Sequence, residues 1–369
     1  MGNAIKIGRA FGIDIKVHWT FFLLLLFFAF VGYQDGNDSI MGALITTAIV
    51  LVLFVCVLLH EFGHSLMAQR LGTHVRDITL LPIGGVARFR TLPEKPADEV
   101  KIAVAGPLVN VVLAPIFFAL AYLVGIDLSN FPQPITAQQT LGGALLYLGM
   151  INVALVVFNL IPAFPLDGGR VLRGLLAIRL GPVRATDVSA GIGQFLAFVL
   201  FLLGLFGNLI LSLIAVFIFF GASGEAQVVR QRELTRGLTV KDVMGTKPRT
   251  ETVTPYHNFG QVLNSVIHGY QEDFPVVNEE GEIVGMITRR EIFSAAHSPD
   301  KFQDVRDLMQ TEFPTVSPDA DLFEDGNRLL QESGLRAIPV TENGELVGML
   351  TVDDLGQASL LRDARKPQY

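Results

Sequence analysis

An apolar run from Ala43 to Leu59 leads without a break into His60-Glu61-Phe62-Gly63-His64. The 19 residues from Met41 to Leu59 would rise about 28 Å as a helix, nearly the thickness of a hydrocarbon core. Two histidines and a glutamate at the end of such a helix are costly unless they serve a metal, a proton path or a buried polar cluster. On a helix, His60 and His64 stand one turn apart on the same side and can grip one metal ion. Glu61 between them is placed to act on an attacking water.

Composition points the same way. The chain is 50% apolar and 17% charged, with a positive mean hydropathy, unlike a soluble domain. Its net charge of −7 is uneven, since acidic residues gather after about Glu225 and the part before is mostly apolar. One part therefore belongs in lipid and another in water, and 369 residues suffice for two or three domains. The lone cysteine, Cys56, excludes an intrachain disulfide and suits a reducing compartment. Lying four residues before His60, it reads as a small buried residue rather than a ligand.

In chain order, Ile5 to Val17 alternates loosely between apolar and polar residues and reads as a strand or hairpin at the membrane surface. Trp19 to Gly32 follows Lys6, Arg9 and Lys16, but no small-residue cleavage site comes after it, so it reads as a retained span with Trp19 as interfacial anchor. The second span runs from Met41 to Ala68. Asp77 to Arg90 reads as a hairpin turning at Gly84-Gly85, with an edge that could hold a substrate strand by main-chain pairing. The third span, Ile102 to Ile126, carries Gly106-Pro107 and Pro115, which should kink it or leave free backbone groups inside the bundle. The fourth is Thr140 to Leu160. Ser189 to Ala222 would rise roughly 45 Å as one helix, too long for a bilayer, and splits at Leu205-Phe206-Gly207-Asn208 into two spans.

Lysine and arginine place these spans. Arg70, Arg76, Arg88, Arg90, Lys95 and Lys101 lie between spans two and three, and Arg170, Arg173, Arg179 and Arg184 between spans four and five; the alternate loops hold none. Both termini, and the ends of spans two and four, are thereby expected on the cytoplasmic side of a cell membrane. Asp167, just past span four, then matches His60 and His64 in depth. A catalytic zinc needs three protein ligands and an open position, and Asp167 is the best third ligand.

From about Arg236 the chain repeats itself. Val240-Lys241-Asp242-Val243-Met244 returns as Val305-Arg306-Asp307-Leu308-Met309, and Gly285-Met286-Ile287-Thr288 as Gly348-Met349-Leu350-Thr351. Each copy reads as helix, short strand, helix and two strands joined by an acidic turn. The expected fold is a polytopic α-helical membrane protein of six transmembrane helices with small β elements, plus a soluble α/β tandem module. Its parts are a membrane domain over 1–224, a linker over 225–236, and repeats over 237–299 and 300–363.

His60-Glu61-Phe62-Gly63-His64, together with Asn159-x-x-Pro162-x-x-Pro165-Leu166-Asp167-Gly168, resembles the site-2 protease family of intramembrane zinc metalloproteases. Gly106-Pro107-x-x-Asn110 is also similar to that family's pattern, and the repeat resembles tandem cystathionine-β-synthase (CBS) domains. The resemblance implies hydrolysis of peptide bonds within or near the bilayer. One zinc would sit on His60, His64 and Asp167, with Glu61 as base and Asn159 and Asn110 donating to the oxyanion or holding substrate backbone. The substrate would be a transmembrane protein, such as a membrane-anchored regulator. The CBS resemblance implies an adenine nucleotide at Thr351 and Asp354. Thr288 is the first repeat's counterpart, with Glu291 where the pattern has Asp. A homodimer through the CBS pair is expected, and no nucleic-acid partner.

The rival is a CBS-regulated metal or ion transporter using the same ligands as a transit site; transport alone would not require Glu61 between the histidines. His18, His74, His257, His268 and His297 lack metal spacing and are assigned no catalytic part.

Overall fold

The computed structural model describes residues 4–35, 39–82, 84–89, 95–126, 141–246, 250–269, 271–296 and 304–365. Arg90, the 127–137 loop, Thr140, His297 and the expected join at 299/300 lie outside the described residues.

Two hairpins make one sheet. Strands β1 (Ala4–Ala10) and β2 (Ile13–His18) turn at Phe11 and Gly12, both with positive φ. Strands β3 (Val75–Leu81) and β4 (Gly84–Phe89) follow helices α1 (Thr20–Asp35) and α2 (Ile40–Arg70). The order is β1-β2-β3-β4, with β2 and β3 parallel. The glycine pair is not the turn of the second hairpin: Leu81 faces Gly84 and Leu80 faces Gly85 across the ladder. A two-residue connection fixes that register, so Gly84 and Gly85 open β4, the edge strand of the sheet. Asp77 on β3 is fully buried and meets Lys16 of β2 at 2.9 Å and Arg88 of β4 at 3.0 Å. Leaving such a buried charge unpaired costs roughly 3–5 kcal/mol, which ties the edge strand to the sheet. Ile13, Val75 and Ile78 pack on Phe62 and Ala68 of α2, so the sheet caps the end of the helix that carries the histidines.

Helices α3 (Pro96–Leu123), α4 (Leu141–Asn159), α5 (Asp167–Leu180), α6 (Pro182–Leu205) and α7 (Leu209–Thr235) complete the membrane part. Among the described residues, α2, α3, α4, α6 and α7 are long and apolar enough to cross a membrane. The first expected span, α1, has 16 residues and rises only about 24 Å. Its Leu23, Leu26, Phe27 and Phe30 point outward, while α3 buries Ala103, Ala105, Gly106 and Ala114, the small residues that let membrane helices approach closely. Helix α3 stays continuous through Pro107 and Pro115. The apolar stretch after Ser189 is two helices, broken at residues 206–208 as its length requires. Helix α5, which the apolar runs do not announce, begins at Asp167, immediately after the proline-rich turn.

The chain divides into two compact units, Met1–Val229 and Arg230–Tyr369, and residues 225–235 are the helical end of α7. The second unit runs α8 (Val240–Val243), β5 (Gly245–Thr246), α9 (Phe259–His268), β6 (Phe274–Val277), β7 (Ile283–Ile287) and α10 (Arg289–Ala296), then α11 (Val305–Leu308). A π-helical turn leads into α12 (Arg328–Ser333), followed by β8 (Ala337–Glu342), β9 (Glu345–Thr351) and α13 (Val352–Arg365). Strand β5 of the first repeat joins β9 and β8 of the second in one sheet, so the repeats interlock. Asn343 and Gly344, both at positive φ, make the tight turn between β8 and β9.

Candidate active site

The site is assembled where three helices meet. Helix α2 delivers His60 and His64, whose Nε2 atoms lie 3.0 Å apart. The first residue of α5, Asp167, sets its Oδ2 3.2 Å from each of them. Helix α3 backs both rings along one stripe, at residues 102, 106 and 110. Ile102 O is 2.7 Å from His64 Nδ1, and Asn110 Oδ1 is 2.5 Å from His60 Nδ1. Between them, Gly106 leaves room for the His64 ring, since a Cβ there would lie 2.1 Å from Nε2.

These contacts allow a test of whether a metal fits. A backbone carbonyl can only accept, so His64 carries a proton on Nδ1, and its neutral ring, the form that binds a metal, turns a bare Nε2 toward Asp167. Asp167 Oδ2 is buried and has no hydrogen-bond partner. Three atoms with lone pairs to offer thus converge on one point. Their separations suit a tetrahedral zinc, whose ligands stand about 3.3 Å apart for bonds of roughly 2.0–2.1 Å. Among the described residues this is the one His/Cys/Asp/Glu group of metal-ligand geometry, and Cys56, though buried, is not part of it. The donor set fits zinc.

A cavity of about 440 Å³ opens beside the triad, lined by His60, Glu61, His64, Gly84, Gly85, Asn159 and Asp167. Glu61 rests against β4: a Cβ on Gly85 would come 2.5 Å from its Cγ, so glycine is what lets the strand cross the carboxylate. Neither Glu61 nor Asn159 makes a side-chain hydrogen bond or ion pair among the described residues, so both are free to meet a substrate. Asn110 differs from expectation. It is fully buried, its oxygen meets His60 and its nitrogen donates to Asn152 Oδ1 at 2.8 Å, so it cannot reach an oxyanion in the cavity.

Sequence reading missed two features of this site. Asn152, fully buried on α4, completes the line behind His60 by donating to Leu148 O at 2.8 Å. An amide in the middle of a 19-residue apolar helix, whose other amide, Asn159, is its last residue, is the available signal. Arg173 of α5 donates through Nε to Glu99 of α3 at 2.7 Å and through an Nη to Glu225 of α7 at 3.1 Å, and it lies 5.4 Å over the Phe164 ring. That cluster fastens α5, and hence Asp167, to its neighbours; its charges are far apart in sequence and only the fold joins them.

The expected nucleotide residues sit in the second unit as helix caps. Thr351 donates through N and Oγ1 to Asp354 Oδ2, both at 2.8 Å, and receives Asp354 N at 3.1 Å, closing a capping box at the start of α13. Thr288 likewise donates through N and Oγ1 to Glu291 Oε2 at the start of α10. Burial would raise the Glu291 carboxyl, but hydrogen bonds from Thr288 and Gln310 outweigh it and hold the group below the usual glutamate range.

A polytopic helical chain whose buried two-histidine, one-aspartate triad faces a cavity with a free carboxylate is, as a class, a membrane-embedded metallohydrolase. Residues 48–140 and 126–203 match Peptidase family M50, and residues 240–298 and 305–360 match the CBS domain. A zinc metalloprotease of Methanocaldococcus jannaschii is 33% identical over 368 residues, 99% of either chain. A solved site-2 protease from the same organism is 37% identical, covering 60% of this chain and 95% of that one with a TM-score of 0.44. A CBS domain-containing protein of Bacillus subtilis is 30% identical over 119 residues, 32% of this chain and 82% of that one. The chain belongs to Peptidase family M50, the site-2 protease-like zinc metalloendopeptidases, and carries a tandem CBS pair after its membrane part.

Proposed function

We propose that this intramembrane protease hydrolyses peptide bonds of transmembrane proteins at the cavity between α2, α4, α5 and β4. The observation that carries the reading is the unsatisfied Asp167 Oδ2 facing two imidazole nitrogens at the wall of a cavity that also holds Glu61. His60, His64 and Asp167 would hold zinc; when bound, the metal supplies a Lewis acid that polarises the scissile carbonyl and acidifies water. Glu61 takes the proton of the attacking water on its carboxylate and gives it to the departing amide nitrogen. Asn159 donates its amide N–H to the carbonyl oxygen as charge gathers there. A transmembrane helix hides its peptide bonds in internal hydrogen bonds and must unwind before attack. The free edge of β4, with Gly84 and Gly85 beside Glu61, pairs with the unwound strand.

Purified full-length protein is expected to contain about one zinc per chain and to cleave a model transmembrane substrate in proteoliposomes, both lost in Asp167→Ala. Zinc flux into the vesicles without cleavage would replace this reading with a transporter.

The lysine and arginine distribution supports a multi-pass protein with both termini and the CBS pair on the cytoplasmic side. In that compartment the pair would sense an adenine nucleotide near Thr351, Asp354 and Thr288 and join two copies of the chain, biasing the protease between two states. Calorimetric titration of the full chain with ATP, ADP and AMP is expected to give saturable binding of one of them. No heat at millimolar nucleotide would remove the sensing role and leave these residues as helix caps.

A further inference from the structure

Behind His60, on the side away from the cavity, three side chains form one line across α2, α3 and α4. Asn152 Nδ2 is 2.8 Å from Leu148 O, Asn110 Nδ2 is 2.8 Å from Asn152 Oδ1, and His60 Nδ1 is 2.5 Å from Asn110 Oδ1. The polarity of that line follows from its last member. Leu148 O can only accept, so Asn152 must turn its NH2 toward it. The oxygen of Asn152 then faces Asn110, which must answer with its own NH2. The oxygen of Asn110 is left for His60, and the proton between them belongs to Nδ1.

We propose that Asn152 is a positioning residue for the metal site, acting through Asn110 to hold His60 in the Nδ1–H tautomer with Nε2 bare toward Asp167. Both asparagines are fully buried, so water cannot take over either partner, and reversing the line would set an amide oxygen against a carbonyl. His64 needs no such relay, because Ile102 O fixes its tautomer directly. The two ligands are thus oriented by different means, one by backbone and one by a chain of side chains. A donor fixed behind a metal-bound histidine both sets its ring orientation and raises its basicity.

The proposal rests on His60 as a zinc ligand, and the test separates the two. Zinc affinity of the full-length protein in detergent is measured by competition with a chromophoric chelator. Asn152→Leu is expected to raise the zinc Kd roughly 10–100-fold. Asn152→Asp keeps an oxygen toward Asn110 and, as a buried neutral carboxyl, an O–H toward Leu148 O, and is expected to stay nearer wild type. In an Asn110→Ala background, Asn152→Leu is expected to add nothing further. A Kd within about twofold of wild type, or the same loss with and without Asn110, would overturn the relay. Should Asn152→Leu not fold, Asn152→Ala carries the same comparison. If His60→Ala loses zinc while Asn152→Leu keeps it, only the relay fails; if His60→Ala binds zinc as wild type does, the ligand assignment fails with it.

Discussion

Replacing Glu61 with Gln is expected to leave zinc in place while slowing cleavage by roughly 10²- to 10⁴-fold, the usual contribution of a positioned general base. The substitution keeps the side chain's length and its packing beside Gly85, and it touches none of the three atoms of the triad. What it removes is the group that accepts the water's proton, and among the described residues nothing else on the cavity wall offers an unpaired carboxylate so close to the triad. The other two glutamates lining it, Glu99 and Glu225, are both committed to Arg173. Single-turnover cleavage at saturating substrate, with zinc content measured on the same preparation, reads the two quantities apart. A variant that kept zinc and cut at the wild-type rate would take Glu61 out of the mechanism.

The parts legible in sequence were those with local causes. The period of the apolar runs set the helices, the length of the stretch after Ser189 forced its division, and the spacing of His60 and His64 fixed that one side of α2 carries both imidazoles. Matching the depth of Asp167 to that of the histidines needed only the rise of a helix and the alternation of basic loops, and the structure brings their donor atoms within 3.2 Å. The misses share a different origin. The parallel pairing of β2 with β3 joins segments separated by two helices, and no pattern within either strand announces it. A Gly-Gly pair is a strong turn signal, whereas here both glycines pair in the ladder and the second serves the approach of Glu61. The family resemblance implies a part for Asn110 at the oxyanion or the substrate backbone, but which way its amide faces is decided by Asn152, on another helix. Backbone periodicity fixes elements, but the partner of a buried polar group is a property of the assembled bundle.

Gly106→Ala puts the second large effect on the metal rather than the proton. The added methyl would fall 2.1 Å from His64 Nε2, 2.5 Å from Cε1 and 2.7 Å from Cδ2, overlapping the ring broadside. The ring has little freedom to yield, because its Nδ1 is bound to Ile102 O one turn earlier on the same helix. Rotating His64 away surrenders that bond and the ligand position together, and moving α3 back takes Asn110 from His60. Either adjustment disorders a ligand, so zinc affinity is expected to fall by roughly 10–100-fold and cleavage to fall with it. Propensity acts in the opposite direction, since alanine favours a helix interior over glycine by about 1 kcal/mol. Helix content by circular dichroism should therefore be retained while zinc is lost, the reverse of what a folding defect would give. Chelator competition on Gly106→Ala and Glu61→Gln side by side then separates a site that cannot hold its metal from one that holds it but cannot move the proton. Wild-type zinc affinity in Gly106→Ala would mean that α3 yields at this crossing, and that the glycine is not what lets His64 reach the metal.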